Sequence, residues 1–381
     1  MPNVILATAL QWGYENSNRV VDSLSEDADI IMTALKGMKV SSEEGEVSLR
    51  YLSSSVFYSD AMTIVPGGMC VDLDGLKKDY DALKSANIDV DSLFIDERAN
   101  LELPFHNGSL LAAEETKKRR SGLRAGDLLD DERLPMRLSR VLLSENKMEL
   151  FDDVLAKCKE WKAFFSDYII DTIPVVRYAL EADQKVVIEP SGGFMRDVSW
   201  ASYPITSFEN YSAQSMIEKA AIPPKAVSKT IGIAKAYSEA TQDAIFPTLF
   251  KDGECASIER NGQKLGWLDC IALDYSVYVN GVDEMCITNL GAFDNASSIK
   301  VCTGYQIEGE YYSNYPETRK YASARPIYAE FEGWMEDTSS VQNWDELPEK
   351  CKEMLKEIGT FINAEITMVS MHDDGPIIKK Y

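Results

Sequence analysis

The sequence predicts an α/β fold, a central and mainly parallel sheet flanked by helices. Short apolar runs of strand length, such as residues 4–10 and 186–188, are typical of buried parallel strands. Segments of helical periodicity alternate with these runs, and the first carries Val20, Val21 and Leu24 on one face. The opening strand is followed by a loop and a helix, which is typical of nucleotide-binding α/β domains.

The remaining elements follow the same alternation, without a repeat or a low-complexity linker. We therefore expect one large domain over residues 1–381, with a polar helical insertion at about residues 111–180. Further strands are predicted at residues 30–32, 62–65, 92–95, 285–290, 299–305, 308–312 and 366–370. Further helices are predicted at residues 76–83, 267–279 and 347–361.

The composition excludes several classes of function. The 381 residues include 39 Lys and Arg against 62 Asp and Glu, a formal net charge of −23. Such a charge repels phosphate backbones and anionic membranes, so neither nucleic acid nor a membrane is an expected partner. No apolar run reaches the ~18 residues of a membrane helix, and no basic segment precedes the first apolar run as in a secretory signal.

The cysteines and histidines limit the chemistry further. The seven cysteines form no C-x-x-C pair and no metal-ligand spacing with histidine, so we expect reduced, buried thiols in the cytosol and no metal site. Only His106 and His372 could serve as a histidine acid. Since Asp373 and Asp374 flank His372, we expect that side chain to be solvated. Asp269, which precedes an apolar segment, is interpreted as a helix cap and Trp267 as a packing residue.

Several segments together resemble adenylosuccinate synthetase, the GTP-dependent ligase that joins IMP to aspartate. They run in the family's order over nearly the whole chain. The segments are Gln11-Trp12-Gly13, Arg120-Ser121-Gly122-Leu123-Arg124, Gly126-Asp127-Leu128, Asp197 with Tyr203-Pro204, Lys235-Ala236-Tyr237-Ser238, Phe246-Pro247-Thr248, Gly266-Trp267-Leu268-Asp269, Ile287-Thr288-Asn289-Leu290, Ile299-Lys300-Val301-Cys302, and Gly333-Trp334 before Leu347-Pro348. The resemblance implies a large domain of the adenylosuccinate synthetase type, which is P-loop NTPase-like, and a homodimer.

The first catalytic motif departs from the family. The family's phosphate loop reads Q-W-G-D-E-G-K-G-K, whereas residues 11–19 read Q-W-G-Y-E-N-S-N-R. Tyr14 stands where the family's aspartate takes a proton from IMP and holds magnesium, and a phenol of pKa near 10 does neither well. Asn16, Ser17 and Asn18 replace Gly-Lys-Gly, so that only Arg19 restores a nearby cation. Asparagine tolerates positive φ, so the loop can keep its shape while it loses affinity for phosphate.

The other motifs depart in the same direction. Ser41 aligns with the family's catalytic histidine, and serine is no general acid near neutral pH. The aspartate-binding arginines are lost at Asn261 and Gln263, which cannot form the same charged fork. The guanine-reading aspartate is replaced by Gly291.

A remnant nucleotide site is the functional interpretation of the residues that remain. These are Gln11, Gly13, Glu15, Arg19, Arg120, Ser207, Thr288 and Ser370. The structural alternative is that Gln11 and Glu15 cap the first helix and that Arg120 forms an ion pair at an interface.

Three hypotheses of function follow. In the first, the chain is a catalytically inactive pseudoenzyme with a structural or regulatory role, paired with itself or a related protein, and it requires no cofactor. In the second, it is a divergent purine-nucleotide ligase that still uses Mg²⁺ and GTP. In the third, it senses a purine nucleotide without turnover.

Overall fold

The computed structural model describes residues 3–35, 39–42, 45–52, 61–88, 90, 92–106, 122–201, 203, 205–207, 209–241, 244–251, 254–255, 258 and 262–381. The strands in these residues are β1 (Asn3–Ala9), β2 (Ile30–Met32), β3 (Lys39–Ser42), β4 (Gly45–Ser48), β5 (Met62–Val65), β6 (Cys70–Val71), β7 (Leu93–Asp96), β8 (Asn100–Leu101), β9 (Ile169–Ile170), β10 (Lys185–Ile188), β11 (Val227–Lys235), β12 (Tyr237–Ala240), β13 (Lys264–Asp269), β14 (Glu284–Thr288), β15 (Ser298–Ile307), β16 (Glu310–Tyr312), β17 (Arg325–Glu332), β18 (Glu365–Val369) and β19 (Ile378–Lys379).

The α-helices of the same residues connect these strands. They are α1 (Ser17–Ser25), α2 (Leu73–Ser85), α3 (Arg133–Ser144), α4 (Phe151–Phe165), α5 (Thr172–Glu181), α6 (Ala213–Lys219), α7 (Cys270–Asn280), α8 (Thr318–Tyr321) and α9 (Glu349–Phe361).

The chain divides into two compact units. The first unit comprises residues 1–5, 24–191 and 214–228, and the second comprises residues 6–23, 192–213 and 229–381. The expectation of one domain over residues 1–381 stays a prediction.

The first unit contains a parallel sheet of strand order β10-β2-β5-β7-β9. Its strands are apolar on both faces, as expected for a sheet that helices cover, and Ile31, Ile64 and Ile95 are fully buried. Within the predicted helical insertion, β9 pairs with β7 at Ile95 and Ile169, so this segment also supplies a strand. The insertion is therefore not wholly helical.

The second unit contains parallel strands β11, β14 and β18, which the antiparallel β19 extends, and β1 follows β11 in the strand order. Helices α7 and α9 contribute Leu273 and Leu355 to the apolar core that covers Met285 and Ile287 of β14. A second sheet pairs β12, β13, β15, β16 and β17. The central-sheet strands of both units are thus mainly parallel, which confirms the predicted α/β class, whereas the pairings of the second sheet are mostly antiparallel.

The predicted helix at residues 267–279 begins too early. Trp267 lies in β13, where it is buried, and α7 begins only at Cys270. Asp269 is the N-cap of α7, and its carboxylate accepts hydrogen bonds from the backbone N–H of Ile271 and Ala272. The cap and packing interpretations of Asp269 and Trp267 are therefore confirmed.

All seven cysteines are free thiols, and five of them are buried. This confirms the interpretation of most of them as small apolar core residues. Among the described residues, no helix is both long and apolar enough to cross a bilayer.

Asp269 also joins a buried hydrogen-bond network. The Tyr305 hydroxyl donates to its carboxylate at 2.6 Å, and the Tyr321 hydroxyl donates at 3.2 Å. Replacing Asp269 by alanine removes the helix cap and leaves two buried hydroxyls without their acceptor. We expect Asp269→Ala to lower the free energy of unfolding, measured by urea denaturation, by about 2–5 kcal/mol.

Asp171 provides the matched control, because it caps α5 by accepting from the N–H of Ile173 while its side chain stays partly exposed. Asp171→Ala removes a cap and an exposed ion pair with Arg98 without stranding a buried hydroxyl, so it should lower the free energy of unfolding by less than Asp269→Ala does. Equal losses in both variants would contradict a stabilising role for the Tyr305–Asp269–Tyr321 network.

Candidate functional site

The loop that follows β1 is held on the end of β11 by the side chain of Gln11. Its amide Nε2 donates to the carbonyl oxygens of Lys235 and Tyr237, at 3.4 Å each, and its Oε1 accepts from the N–H of Lys235 at 2.9 Å. Because the side chain is buried, these bonds are shielded from competing water. Gln11 therefore pins the loop to a strand, and the interpretation of Gln11 as a cap of α1 is wrong.

Glu15 is the buried acid of this loop, with only 2% of its surface exposed. Its Oε1 accepts from the N–H of Gly13 at 2.7 Å, and its backbone carbonyl accepts from the hydroxyl of Thr288 at 3.0 Å. Its interpretation as a cap of α1 is therefore also wrong. Oε2 is buried without a hydrogen-bond partner among the described residues. Burial raises the pKa of Glu15 to about 7, although the nearby Lys235 lowers it.

A pocket of about 440 Å³ opens beside this loop, within the second unit. Tyr14 lines it with 54% of its surface exposed, so the space between Gly13 and Ser207 remains open. The pocket also brings in Gln263, at the position where the resemblance implies an arginine for aspartate. The other lining residues are Trp12, Glu15, Asn16, Gly192, Gly193, Arg196, Tyr211, Lys235, Glu239, Ala240 and Thr241.

The charged groups of the pocket are engaged with groups of the chain. Arg196 donates to the hydroxyl of Thr241 at 2.8 Å, and Lys235 forms an ion pair with Glu239. The hydroxyl of Ser207 accepts from the backbone N–H of Glu209 at 3.0 Å. Among the described residues, no group of three His, Cys, Asp or Glu side chains has the arrangement of a metal site.

Asp197 and Gly193 shape the backbone around the pocket. The carboxylate of Asp197 accepts backbone N–H groups from Ser199, Trp200, Tyr211 and Ser212 and so fixes the segment that carries Ser207. A Cβ atom on Gly193 would lie 2.5 Å from the carbonyl oxygen of Gly13, which leaves no room for a side chain. The loop after β1 can therefore lie directly on this glycine.

Thr288 ends β14 and Ser370 directly follows β18; both are fully buried, and neither lines the pocket. Thr288 donates its hydroxyl to Glu15, as described above, and the hydroxyl of Ser370 accepts from the N–H of Asn289 at 3.3 Å. Arg19 donates to the carbonyl oxygen of Asp374 at 3.0 Å. Each of these predicted site residues is therefore engaged by the chain itself.

One predicted position lies in the first unit, and another cannot be placed. Ser41 is in β3, opposite Glu46 of β4 in an antiparallel hairpin of the first unit. Arg120 lies outside the described residues.

His372 differs from the expectation of a solvated side chain. Its ring lies on Gly291, where a Cβ atom would approach the ring carbon Cε1 to 2.3 Å. Its Nε2 is buried and has no hydrogen-bond partner among the described residues. The flanking Asp373 directs its carboxylate to the amide of Asn289, at 2.6 Å, rather than to this ring.

The site residues predicted from the sequence did not include Arg196, Tyr211, Lys235 or Glu239, all of which line the pocket. Lys235 could have been found, because it belongs to a segment that supports the family resemblance. Arg196 and Tyr211 gave no such signal, since only the bends around Asp197 bring them to the loop after β1.

A sequence model described as adenylosuccinate synthetase matches residues 6–117 and 111–376. The chain belongs to the adenylosuccinate synthetase family. It is 27% identical to the adenylosuccinate synthetase of Alkaliphilus metalliredigens, with 97% of each chain covered. It is 28% identical to that of Staphylococcus epidermidis, also with 97% of each covered.

Solved structures support the same fold. The fully ligated adenylosuccinate synthetase of Plasmodium falciparum matches with a TM-score of 0.87 over 100% of both chains, at 23% identity. The succinoaminodeoxyadenylate synthetase of cyanophage S-2L, bound to dGMP and dATP, matches with a TM-score of 0.56 at 15% identity over 98% of this chain and 93% of that one. At these identities the matches establish the α/β fold.

Glu15 should make the stability depend on pH. Its pKa is about 7 in the folded chain and 4.5 in the unfolded reference, so folding favours the protonated acid. This contribution is complete below pH 4.5 and is lost as the pH rises through 7, by up to about 3 kcal/mol. Glu15→Gln, which cannot ionise, should flatten the dependence of the unfolding free energy on pH between 4.5 and 8.

Glu336→Gln is the control, because Glu336 is exposed. That variant should retain the pH dependence of the unmodified chain. If Glu15→Gln retained it as well, Glu15 would be ionised in the folded protein.

Proposed function

We propose that this chain is a catalytically inactive member of its family, a pseudoenzyme with a structural or regulatory role. It would act by pairing with a second copy or with a related protein, as the homodimer implied by the family resemblance suggests. The observation that carries this proposal is that the chain's own contacts engage the loop that should hold phosphate. Arg19, the cation of that loop, binds backbone carbonyls at residues 374 and 375.

The position of the catalytic base supports the proposal. Tyr14, which aligns with the family's aspartate, is exposed at the pocket, and a phenol is a poorer proton acceptor than a carboxylate near neutral pH. The neighbouring Glu15 is poorly placed to replace that aspartate as the base. Its Oε1 accepts a hydrogen bond from the N–H of Gly13, and its Oε2 is buried. A proton acceptor has to reach the proton that it removes.

The phosphate loop supports it as well. Asn16 has φ of +59°, so it retains a backbone conformation that the family's glycine would adopt easily. This agrees with the expectation that the loop keeps its shape. Its side chain, however, donates to the carbonyl oxygen of Asp373 at 3.1 Å, and glycine could not make this bond.

The position that should read guanine is also changed. Gly291 has no carboxylate, and the ring of His372 lies directly on it. Asn289, two residues before Gly291, donates its side-chain amide to the carboxylate of Asp373.

The described residues do not fit Mg²⁺ and GTP, the cofactors implied by the family. A divalent cation requires several convergent oxygen ligands. Tyr14 stands at the position of the family's aspartate, which would supply one of these ligands. GTP needs a loop that binds its phosphates and a group that recognises its base. At the first position Arg19 binds a backbone carbonyl, and at the second the ring of His372 lies on Gly291. We therefore derive no catalytic step through either cofactor.

The open pocket favours one further candidate, a sensor that binds a purine nucleotide without turnover. Its volume of about 440 Å³ lies in the range of small-molecule sites, and Arg196, Lys235 and Tyr211 are groups that suit a phosphate and a ring.

The absence of ligation can be tested with IMP, aspartate and GTP, measuring adenylosuccinate by absorbance. We expect a rate at least about 10⁴-fold below that of the Staphylococcus epidermidis relative. The positions of the family's catalytic base, catalytic acid and phosphate-binding lysine all carry other residues in this chain. Tyr14→Asp should remain inactive, since Arg19 and Asn16 are unaltered. Turnover within tenfold of that relative, with IMP or with dGMP and dATP, would instead establish the divergent ligase.

Thermal unfolding with IMP tests the sensor candidate. A ligand at 100 times its Kd stabilises the folded state by about 2.7 kcal/mol. If the pocket binds IMP, Arg196→Ala should reduce the shift, whereas Arg319→Ala should not, because Arg319 is exposed and pairs with Glu317 outside the pocket. No shift with IMP would reject the sensor and leave the pseudoenzyme proposal in place.

A further inference from the structure

A second cavity, of about 670 Å³, lies in the second unit where the helices α7 and α9 end. Gly281, the C-cap of α7, and Ile362, the C-cap of α9, both line it. Since these helices precede β14 and β18, the cavity lies at the amino ends of the two strands, whereas Thr288 and Ser370 mark their carboxyl ends. This helix-end cavity shares no lining residue with the pocket beside the loop after β1, and its volume is in the range of small-molecule sites.

Both helices direct the negative end of their dipole toward this cavity. The last carbonyl groups of an α-helix together carry about half a negative charge, which a lysine or arginine in the last turn commonly offsets. The last turns here are residues 277–280 of α7 and residues 358–361 of α9, and neither of these described turns contains a basic residue. The potential at the two helix ends is therefore not offset from within the helices.

A carboxylate adds to this negative potential. Among the described residues that line the cavity, Asp274 is the only charged one. Its Oδ1 accepts a hydrogen bond from the side-chain amide of Asn363, at 2.9 Å, and this bond joins α7 to the residue that follows the end of α9. Because the amide is neutral, the bond orients the carboxylate without cancelling its charge. A positively charged ligand would be attracted to it.

Three tyrosines give the cavity an aromatic surface. The rings of Tyr275 and Tyr315 stack with 4.8 Å between their centres and 16° between their planes. The hydroxyl of Tyr275 donates to the carbonyl oxygen of Trp200 at 2.7 Å, which fixes the position of this ring. Tyr278 exposes 83% of its surface, so its ring is accessible to a ligand. The face of an aromatic ring attracts a cation, and groups of such rings recognise quaternary ammonium ions.

We propose that the helix-end cavity binds an organic cation, a small molecule that carries an alkylated ammonium group. The two helix ends and Asp274 favour the positive charge, and the tyrosine rings together with Val277 and Val282 favour the alkyl groups. A divalent metal ion is a poorer match, because it requires about six oxygen ligands and the described lining residues include a single carboxylate. This inference goes beyond the proposed function, since it concerns a different site.

Choline and dimethylbutanol test the role of the charge. Dimethylbutanol has the shape of choline, but a carbon atom replaces the charged nitrogen. The Kd of each probe is measured with the full chain by calorimetry at constant ionic strength. We expect choline to bind at least about tenfold more tightly than dimethylbutanol, because only choline interacts with the carboxylate, the helix ends and the ring faces as a cation.

Substitutions at Tyr278 test whether choline binds in this cavity. Because the side chain is exposed, its replacement leaves the core intact. Tyr278→Ala removes a ring and should weaken choline binding by at least about threefold, whereas Tyr278→Phe keeps the ring and should retain the affinity of the unmodified chain. Tyr178→Ala is the matched control, because Tyr178 is 69% exposed on α5 of the first unit and should leave the Kd unchanged.

Asp274→Asn tests the carboxylate. The variant keeps an oxygen that can accept from Asn363 and loses only the charge, so it should weaken choline binding by about threefold or more and leave dimethylbutanol unaffected. Glu336→Gln removes the same charge from an exposed position outside the cavity and should leave the Kd of choline unchanged.

Two results would overturn the proposal. The first is the absence of choline binding to the unmodified chain, or equal Kd values for choline and dimethylbutanol. The second is an equal loss of affinity in Asp274→Asn and Glu336→Gln, or in Tyr278→Ala and Tyr178→Ala. That pattern would identify choline as a counterion of a chain whose formal net charge is −23.

Discussion

The buried amide of Gln11 is the interaction on which the geometry of the candidate site depends. It is bonded to Lys235 through both donor and acceptor, and it also reaches the carbonyl of Tyr237. A buried amide that lost these partners would incur the cost of unsatisfied polar groups. The loop after β1 is consequently fixed on β11, and this places Tyr14 at the pocket and Glu15 inside the protein.

In this loop the backbone conformation suits the family's glycine, whereas the side chains differ from those of the family. Glu15 and Asn16 both have positive φ, at +55° and +59°, so the turn retains a form that glycine would adopt without cost. The side chains then bind groups of the chain: Glu15 binds the N–H of Gly13, and Asn16 binds a carbonyl of Asp373. A fold of this family can thus persist while the groups that would receive a nucleotide contact the protein instead.

Much of the fold could be predicted, because strand and helix periodicities depend on local sequence. The apolar runs at β2, β5 and β18 were located to within one or two residues. The start of α7 was placed too early, since the apolar residues around Trp267 suit a buried strand and a buried helix equally. The site is harder to predict from the sequence, because Arg196 and Tyr211 reach it only through the turns that Asp197 holds.

The sequence by itself determined the family, the α/β class and the loss of charged groups from the catalytic motifs, because these depend on which residues are present. Only the tertiary structure decided how the replacements are used. His372 looked solvated beside two aspartates, yet its ring lies on Gly291 because β14 and β18 are neighbours in the sheet. Likewise Arg19 looked like a replacement phosphate ligand, and it binds carbonyls more than 350 positions away, a pairing that depends on strand order.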